Sequence, residues 1–159
     1  MKTIIIYESK YGCVKTCAEY LKKKIDGDVS ICNIARESVA DLDHCDRVII
    51  GASVYVGSVP KSMKGFCNKN TSKLIKKKIN VFLCCLLDGE LKTVIDNNFP
   101  KELVESALQI RSFGGRVAHD KLKFSDKLII KAVSKMVKEI DLNADVNYDA
   151  MEDFIRKMR

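Results

Sequence analysis

Six residues near the N-terminus, Ser9-Lys10-Tyr11-Gly12-Cys13-Val14, stand where a chain can grip a phosphate. They follow the apolar run Ile4-Ile5-Ile6-Tyr7, which reads as a buried strand of a parallel sheet. Helical periodicity then begins at once, with Val14, Cys17, Ala18, Leu21 and Ile25 on one face. A strand, a short loop with one glycine and a helix place several backbone N–H groups at a positive helix end, which suits an anion. The loop is neither G-x-G-x-x-G nor G-x-x-x-x-G-K-[ST], so it fits neither a dinucleotide fingerprint nor a P-loop. The same pattern also describes an ordinary strand-to-helix turn, and the bare sequence leaves both readings open. Lys10 and Lys15 add positive charge to the loop.

Seven cysteines form the second set of chemically capable residues. Cys32, Cys84 and Cys85 lie in apolar strand-like runs, while Cys17 and Cys67 lie on helical patterns. No C-x-x-C occurs, and His44 and His119 stand far from any cysteine pair. Reduced, buried thiols that act as small hydrophobes are therefore expected, with no metal site. Cys13 differs, because it opens a helix whose N-terminus stabilises a thiolate. It is either a reactive thiol or a loop residue that matters only through its backbone N–H.

The elements that position these residues alternate along the chain. Val29–Ile34 alternates like a strand, and Arg47–Ser53 is a second strongly apolar one. Val54-Tyr55-Val56-Gly57-Ser58-Val59 is a loop, and Pro60 then opens a helix carrying Met63, Phe66 and Cys67 inward. Ile79–Leu87 is predicted as a further buried strand ending at Asp88-Gly89-Glu90. Phe99-Pro100 opens a short helix, Leu108–Phe113 is a fifth strand, and a last helix begins near Asn147. Strands alternating with helices indicate a doubly wound α/β parallel sheet with right-handed crossovers. At 159 residues the expectation is one domain over 1–159.

The formal net charge of +7 implies attraction to something anionic. The lysine runs lack aromatic interleaving and any nucleic-acid motif, so no nucleic acid is expected. No apolar stretch approaches the roughly 18–20 residues of a membrane span. Met1-Lys2-Thr3-Ile4 leads into a strand rather than into a signal peptide, so a cytoplasmic location is expected. Between about 117 and 145, Phe124, Leu128, Ala132, Met136 and Ile140 recur at four-residue steps, with Ile129, Val133 and Val137 beside them. Lys127, Lys131, Lys135 and Lys138 follow the same period on a neighbouring face. This extra amphipathic helix after the fifth strand either docks on the core by its apolar side, meets an anionic membrane, or lies beside a cavity for an anionic substrate.

Across essentially its whole length the chain resembles the flavodoxin family, and within it the menaquinone-dependent protoporphyrinogen dehydrogenase group. The resemblance is carried by Ser9-Lys10-Tyr11-Gly12-Cys13, by Asp46–Ser53 followed by Tyr55 and Gly57, and by the insertion from Gly114-Gly115-Arg116 through Asp126–Lys131 and Met136. It implies a five-stranded parallel sheet in the order 2-1-3-4-5 with helices on both faces. It also implies FMN at the crevice where the winding reverses. Three loops converge there: Ser9, Lys10, Tyr11, Gly12, Cys13 and Val14 for the phosphate; Ser53, Val54, Tyr55, Val56 and Gly57; and Leu86, Leu87, Asp88 and Gly89 for the ring edge. Tyr55 is the expected stacking platform, unless it is merely a packed loop tyrosine. Tyr11 and Val14 depart from the family, standing where threonine is usual, so weaker FMN affinity is expected.

By the same resemblance the partners are a reduced tetrapyrrole and a quinone, with FMN passing electrons between them. The basic insert, notably Arg116, Lys121, Lys123 and Lys127, would attract propionates or anionic lipid, and His119 would assist a proton transfer or sit on the surface. The rival reading is a diffusible flavodoxin-type electron carrier with a redox partner protein.

Overall fold

The computed structural model describes residues 1–39, 42–85, 90–116, 123–136 and 145–158, with 133–136 as backbone. Five strands form one parallel sheet: β1 (Lys2–Glu8), β2 (Asp28–Asn33), β3 (Arg47–Ser53), β4 (Lys78–Cys84) and β5 (Ala107–Ser112). Their order is β2-β1-β3-β4-β5, as expected. Between them run α1 (Cys13–Lys24), α2 (Lys61–Leu74), α3 (Leu91–Asn98) and α4 (Lys101–Ser106). α5 (Phe124–Met136) and α6 (Tyr148–Arg156) follow β5, and a short 3-10 turn occupies Leu42–His44.

Central strands are apolar on both faces because helices cover both. Successive β1 side chains alternate between two cores. Ile4 and Ile6 join Val48, Ile50, Met63, Cys67, Leu74 and Leu103 beneath α2 and α4. Ile5 and Tyr7 join Ile49, Leu21, Phe82, Phe113 and Phe154 beneath α1 and α6. The edge strands β2 and β5 are only partly buried, since each has a neighbouring strand on one side alone.

Gly51 allows the second core to close. It pairs with Phe82 across β3 and β4, and a Cβ there would lie 2.3 Å from the Phe82 ring. That ring stacks on Phe113 at 4.8 Å, and Phe113 meets Phe154 edge-on at 5.1 Å. Phe113 in turn fixes the start of α6, because its carbonyl accepts from the Asn147 N–H at 2.8 Å.

Two expectations need correction. The strand expected over Ile79–Leu87 is β4, which ends at Cys84, and Leu86 and Leu87 lie outside the described residues. The helix α3 lies in a stretch for which the sequence suggested no element. Its eight residues give about two turns, too few for helical periodicity to stand out.

Candidate functional site

The carboxyl ends of β1, β3 and β4 open on one edge of the sheet, at the point where strand order reverses between β1 and β3. β1 passes into Ser9–Gly12. Gly12 holds φ +96, in the left-handed region that glycine enters freely, and its N–H donates to Ser9 Oγ at 3.0 Å. α1 starts at Cys13 with no side-chain cap and no acidic residue in its first turn. Space is open beside Gly12, where a Cβ would meet nothing within 4 Å. This leaves the backbone N–H groups of the first turn as the donors of an anion cradle. Val14 is fully buried in the core, so it can offer such a site only its backbone.

β3 passes into a tight turn, Tyr55-Val56-Gly57-Ser58, closed by Tyr55 N–H to Ser58 O at 2.8 Å and the reciprocal bond at 3.1 Å. Val56 (φ 48) and Gly57 (φ 71) are both left-handed, the pattern of a type I′ turn. A β-branched residue is strained there, and Val56 is exposed at the tip. Buried Asn98 of α3 holds this loop from below. Its amide donates to Gly57 O at 2.9 Å and Val94 O at 2.7 Å, and its carbonyl accepts from the Val59 N–H at 3.0 Å. Ser53 ends β3 in register with Cys84, and the Val54 N–H donates to Cys84 O at 2.9 Å. The third expected segment, Leu86, Leu87, Asp88 and Gly89, lies outside the described residues.

The insertion helix joins the first two loops through one carboxylate. Asp126, in the first turn of α5, is buried, although it stands between exposed neighbours. Tyr11 OH donates to its Oδ2, Tyr55 OH donates to its Oδ1 at 2.9 Å, and Lys10 Nζ pairs with Oδ2 at 2.9 Å. The Tyr11, Lys10 and Tyr55 donors hold the Asp126 carboxyl at about 2, below the usual carboxylate range. Desolvation, together with Asp126, pushes the Tyr55 phenol up to about 12. The Lys10 ammonium lies 4.4 Å over the Tyr55 ring, on a face a stacked heterocycle would use. Tyr11, expected as a lost hydroxyl, thus supplies one toward Asp126.

The helix does not dock by its apolar side among the described residues. Phe124 is 77% exposed, Leu128 54% and Ile129 39%, and Lys127 and Lys131 are exposed beside them. Val133, Lys135 and Met136 as side chains, with Val137, Lys138 and Ile140, lie outside the described residues, as do His119 and Lys121. Arg116 is engaged by Asp145, its Nε at 2.7 Å. A cavity of about 700 Å3 flanks the Ser9–Gly12 loop on the β2 side, lined by Ser9, Lys10, Lys15, Arg36 and Lys123 among others.

Cys13 does not stand alone. Its thiol sits with those of Cys17 and Cys84, the three sulfurs within 4.8 Å of one another. Hydrogen bonds from Cys17 and Cys84 hold the Cys13 thiol well below its ordinary value, aided by the Arg116 N–H, and both donors are raised in turn. The remaining cysteines, Cys32, Cys45, Cys67 and Cys85, are buried, as expected for small hydrophobes.

Three residues of the site escaped the sequence reading. Asp126 fell within the quoted insertion, but nothing in the sequence singled it out. Asn98 closes a helix that itself went unseen. Cys84 lies 67 residues from Cys17, beyond the reach of any spacing rule.

A doubly wound sheet of this order, with an open helix end and two loops at its switch point, defines a flavodoxin-type nucleotide-phosphate binder. The flavodoxin domain family matches residues 4–142, and the chain belongs to that family. It is similar to protoporphyrinogen IX dehydrogenase [quinone] of Escherichia coli K12, at 23% identity over 162 residues, covering 96% of this chain and 90% of that protein. In fold it resembles the Streptococcus pneumonia TIGR4 flavodoxin, with a TM-score of 0.58, 15% identity and coverage of 99% and 97% of the two chains. It also resembles a Lactobacillus acidophilus flavoprotein in complex with FMN, with a TM-score of 0.55, 15% identity and coverage of 70% and 92%. Family and fold together make this a flavodoxin-like redox protein and support FMN as its cofactor. No helix among the described residues is long and apolar enough to cross a membrane.

Proposed function

We propose that the chain holds FMN at the switch-point edge and works as a protoporphyrinogen-dehydrogenase-like enzyme that passes electrons to a quinone. The observation that carries this reading is the uncapped N-terminus of α1 behind the Ser9–Gly12 loop, at the carboxyl edge of a β2-β1-β3-β4-β5 sheet. In this reading the N–H groups of Cys13, Val14 and Lys15 take the phosphate, with Gly12 turning the loop and Ser9, Lys10 and Tyr11 around it. Ser53, Val54, Tyr55, Val56 and Gly57 border the ring, with Leu86, Leu87, Asp88 and Gly89 on its polar edge. Bound FMN supplies the hydride and electron chemistry, while the protein supplies orientation and electrostatics. To clear the Tyr55 face for stacking, the Lys10 side chain swings toward the phosphate, which its length allows.

Three features support the substrate class. The similarity to the Escherichia coli enzyme spans the insertion as well as the sheet. Lys10, Lys15, Arg36 and Lys123 line the cavity beside the phosphate loop against one acid, Glu37, a balance that suits the carboxylates of a tetrapyrrole. The exposed Phe124, Leu128 and Ile129 beside Lys127 and Lys131 suit a peripheral contact with an anionic membrane, where a quinone dissolves. On this reading the protein works in the cytoplasm, at the membrane's inner face.

The test is a titration of apoprotein with FMN, then anaerobic mixing of the complex with protoporphyrinogen IX and, separately, a menaquinone. Bleaching of the flavin by the tetrapyrrole and its recovery with the quinone are expected. A flavin that binds but stays oxidised refutes the enzyme and favours a diffusible carrier with a redox partner protein. A chain that stays colourless with excess FMN refutes both.

A further inference from the structure

Cys13, Cys17 and Cys84 converge behind the phosphate loop, where they pack in the core beneath α1, and the redox reading makes no use of their sulfurs. Cys13 and Cys17 are one helical turn apart on α1 and project to the same side. Cys84 ends β4, directly below them, with its sulfur 3.7 Å from that of Cys17. All three sulfurs lie within 4.8 Å of one another. Metal–thiolate bonds of about 2.3 Å in a trigonal plane put the sulfurs about 4.0 Å apart, so one ion fits among them with shifts of tenths of an ångström.

We propose that Cys13, Cys17 and Cys84 form a three-thiolate site for one soft monovalent cation, Cu(I). The donor set selects the ion. It is all sulfur, and thiolates favour soft d10 ions over the hard cations that carboxylates and carbonyls take. Among the described residues no histidine or carboxylate joins the cluster, which offers three sulfurs and not the four protein ligands of a closed zinc site. Cys17 is 0% exposed and Cys84 5%, while Cys13 is half-buried at the loop, so the ion enters past Cys13. Loading exchanges up to three thiol protons for the ion and changes no oxidation state. The residual negative charge sits at the positive end of α1 and near the Arg116 guanidinium. The site does not depend on FMN, although it ties the first residue of the phosphate-loop helix to β4.

The experiment presents Cu(I) as its bathocuproine disulfonate complex to the reduced full-length chain under anaerobic conditions, without FMN. Transfer of one equivalent per chain is expected, followed by an X-ray absorption spectrum with three sulfur neighbours. Cys17→Ala, Cys84→Ala and Cys13→Ser each lose the equivalent, whereas Cys32→Ser and Cys67→Ala keep it. Circular dichroism identifies any variant that fails to fold, and Cys13→Ser, at the least buried position, keeps the test decisive. No transfer from the chelate, transfer that survives all three substitutions, or a two-sulfur shell overturns the site. Uptake of Zn(II) with Cu(I) left on the chelate overturns the choice of ion.

Discussion

Asp126→Asn is expected to tighten FMN binding. The carboxylate holds Lys10, Tyr11 and Tyr55, the side chains best placed to serve an incoming phosphate and ring. It lies 2.9 Å from Lys10 Nζ, and a phosphate oxygen pairing with the same ammonium from the other side stands about 2.8 Å away. The two anions are then roughly 5–6 Å apart. At that separation the repulsion between two unit charges weakens binding about 3-fold at the dielectric of water and about 100-fold at an effective value of 20. Because the cluster borders solvent and salt screens it, about tenfold is the expected gain. Asparagine keeps an acceptor for one of the two tyrosine hydroxyls and turns its amide nitrogen to the other, so the substitution removes the charge and one hydrogen bond. The assay is quenching of FMN fluorescence during titration at low and at physiological salt, with the gain shrinking as salt rises. Unchanged or weaker binding in Asp126→Asn refutes the competition and makes the carboxylate an organiser of the loops instead.

The same carboxyl sets an acid dependence. Its folded value of about 2 lies below the ordinary 3.8, so its contribution to stability is fully present above the ordinary value and is lost as pH falls through the folded one. Thermal melts should therefore show the wild type losing its advantage over Asp126→Asn between about pH 4 and pH 2, and a difference that persists at the acid end counts against the pairing. Gly51→Ala drives a methyl into the Phe82 ring that Phe113 backs, an overpacking cost of about 1–3 kcal/mol, or roughly 2–12 °C in Tm for this length; an unchanged Tm would contradict that packing. Val56→Asn relieves the left-handed strain at an exposed position and should raise Tm by about 2–4 °C, as about 1 kcal/mol does at this length. Neutralising Lys127 and Lys131 to glutamine should weaken binding to anionic vesicles roughly 30-fold, at about 1 kcal/mol per lysine. Equal sedimentation with the vesicles would remove the membrane contact.

The sheet was legible because parallel strands are buried on both faces, and unbroken runs such as Ile4–Tyr7 and Arg47–Ser53 admit few other readings. Pro60 and Pro100 marked two helix starts, since each stands one residue before its helix, where a missing N–H costs no intrahelical bond. α3 was illegible for the opposite reason. It buries only Val94, Ile95 and Asn98, so tertiary packing rather than local pattern makes it helical.

The site divides along the same line. Ser9–Gly12 is a local conformation that a chain reader can reach, whereas Val56 is held left-handed against its own preference by the Tyr55–Ser58 bonds and by Asn98 beneath Gly57. Asp126 and Cys84 act only through partners 71 to 116 and 67 to 71 residues away, and nothing in their own neighbourhoods marks them. Periodicity reports which face of a helix is apolar, and for α5 it grouped Phe124, Leu128 and Ile129 on one side while leaving open whether that side docks on the core, meets a membrane or lies beside a cavity. The fold buries the one acid on that turn and leaves the apolar residues exposed. The reason is electrostatic. A carboxylate that gains an ammonium and two phenol donors recovers its desolvation cost, whereas three apolar side chains gain nothing until a surface arrives to cover them.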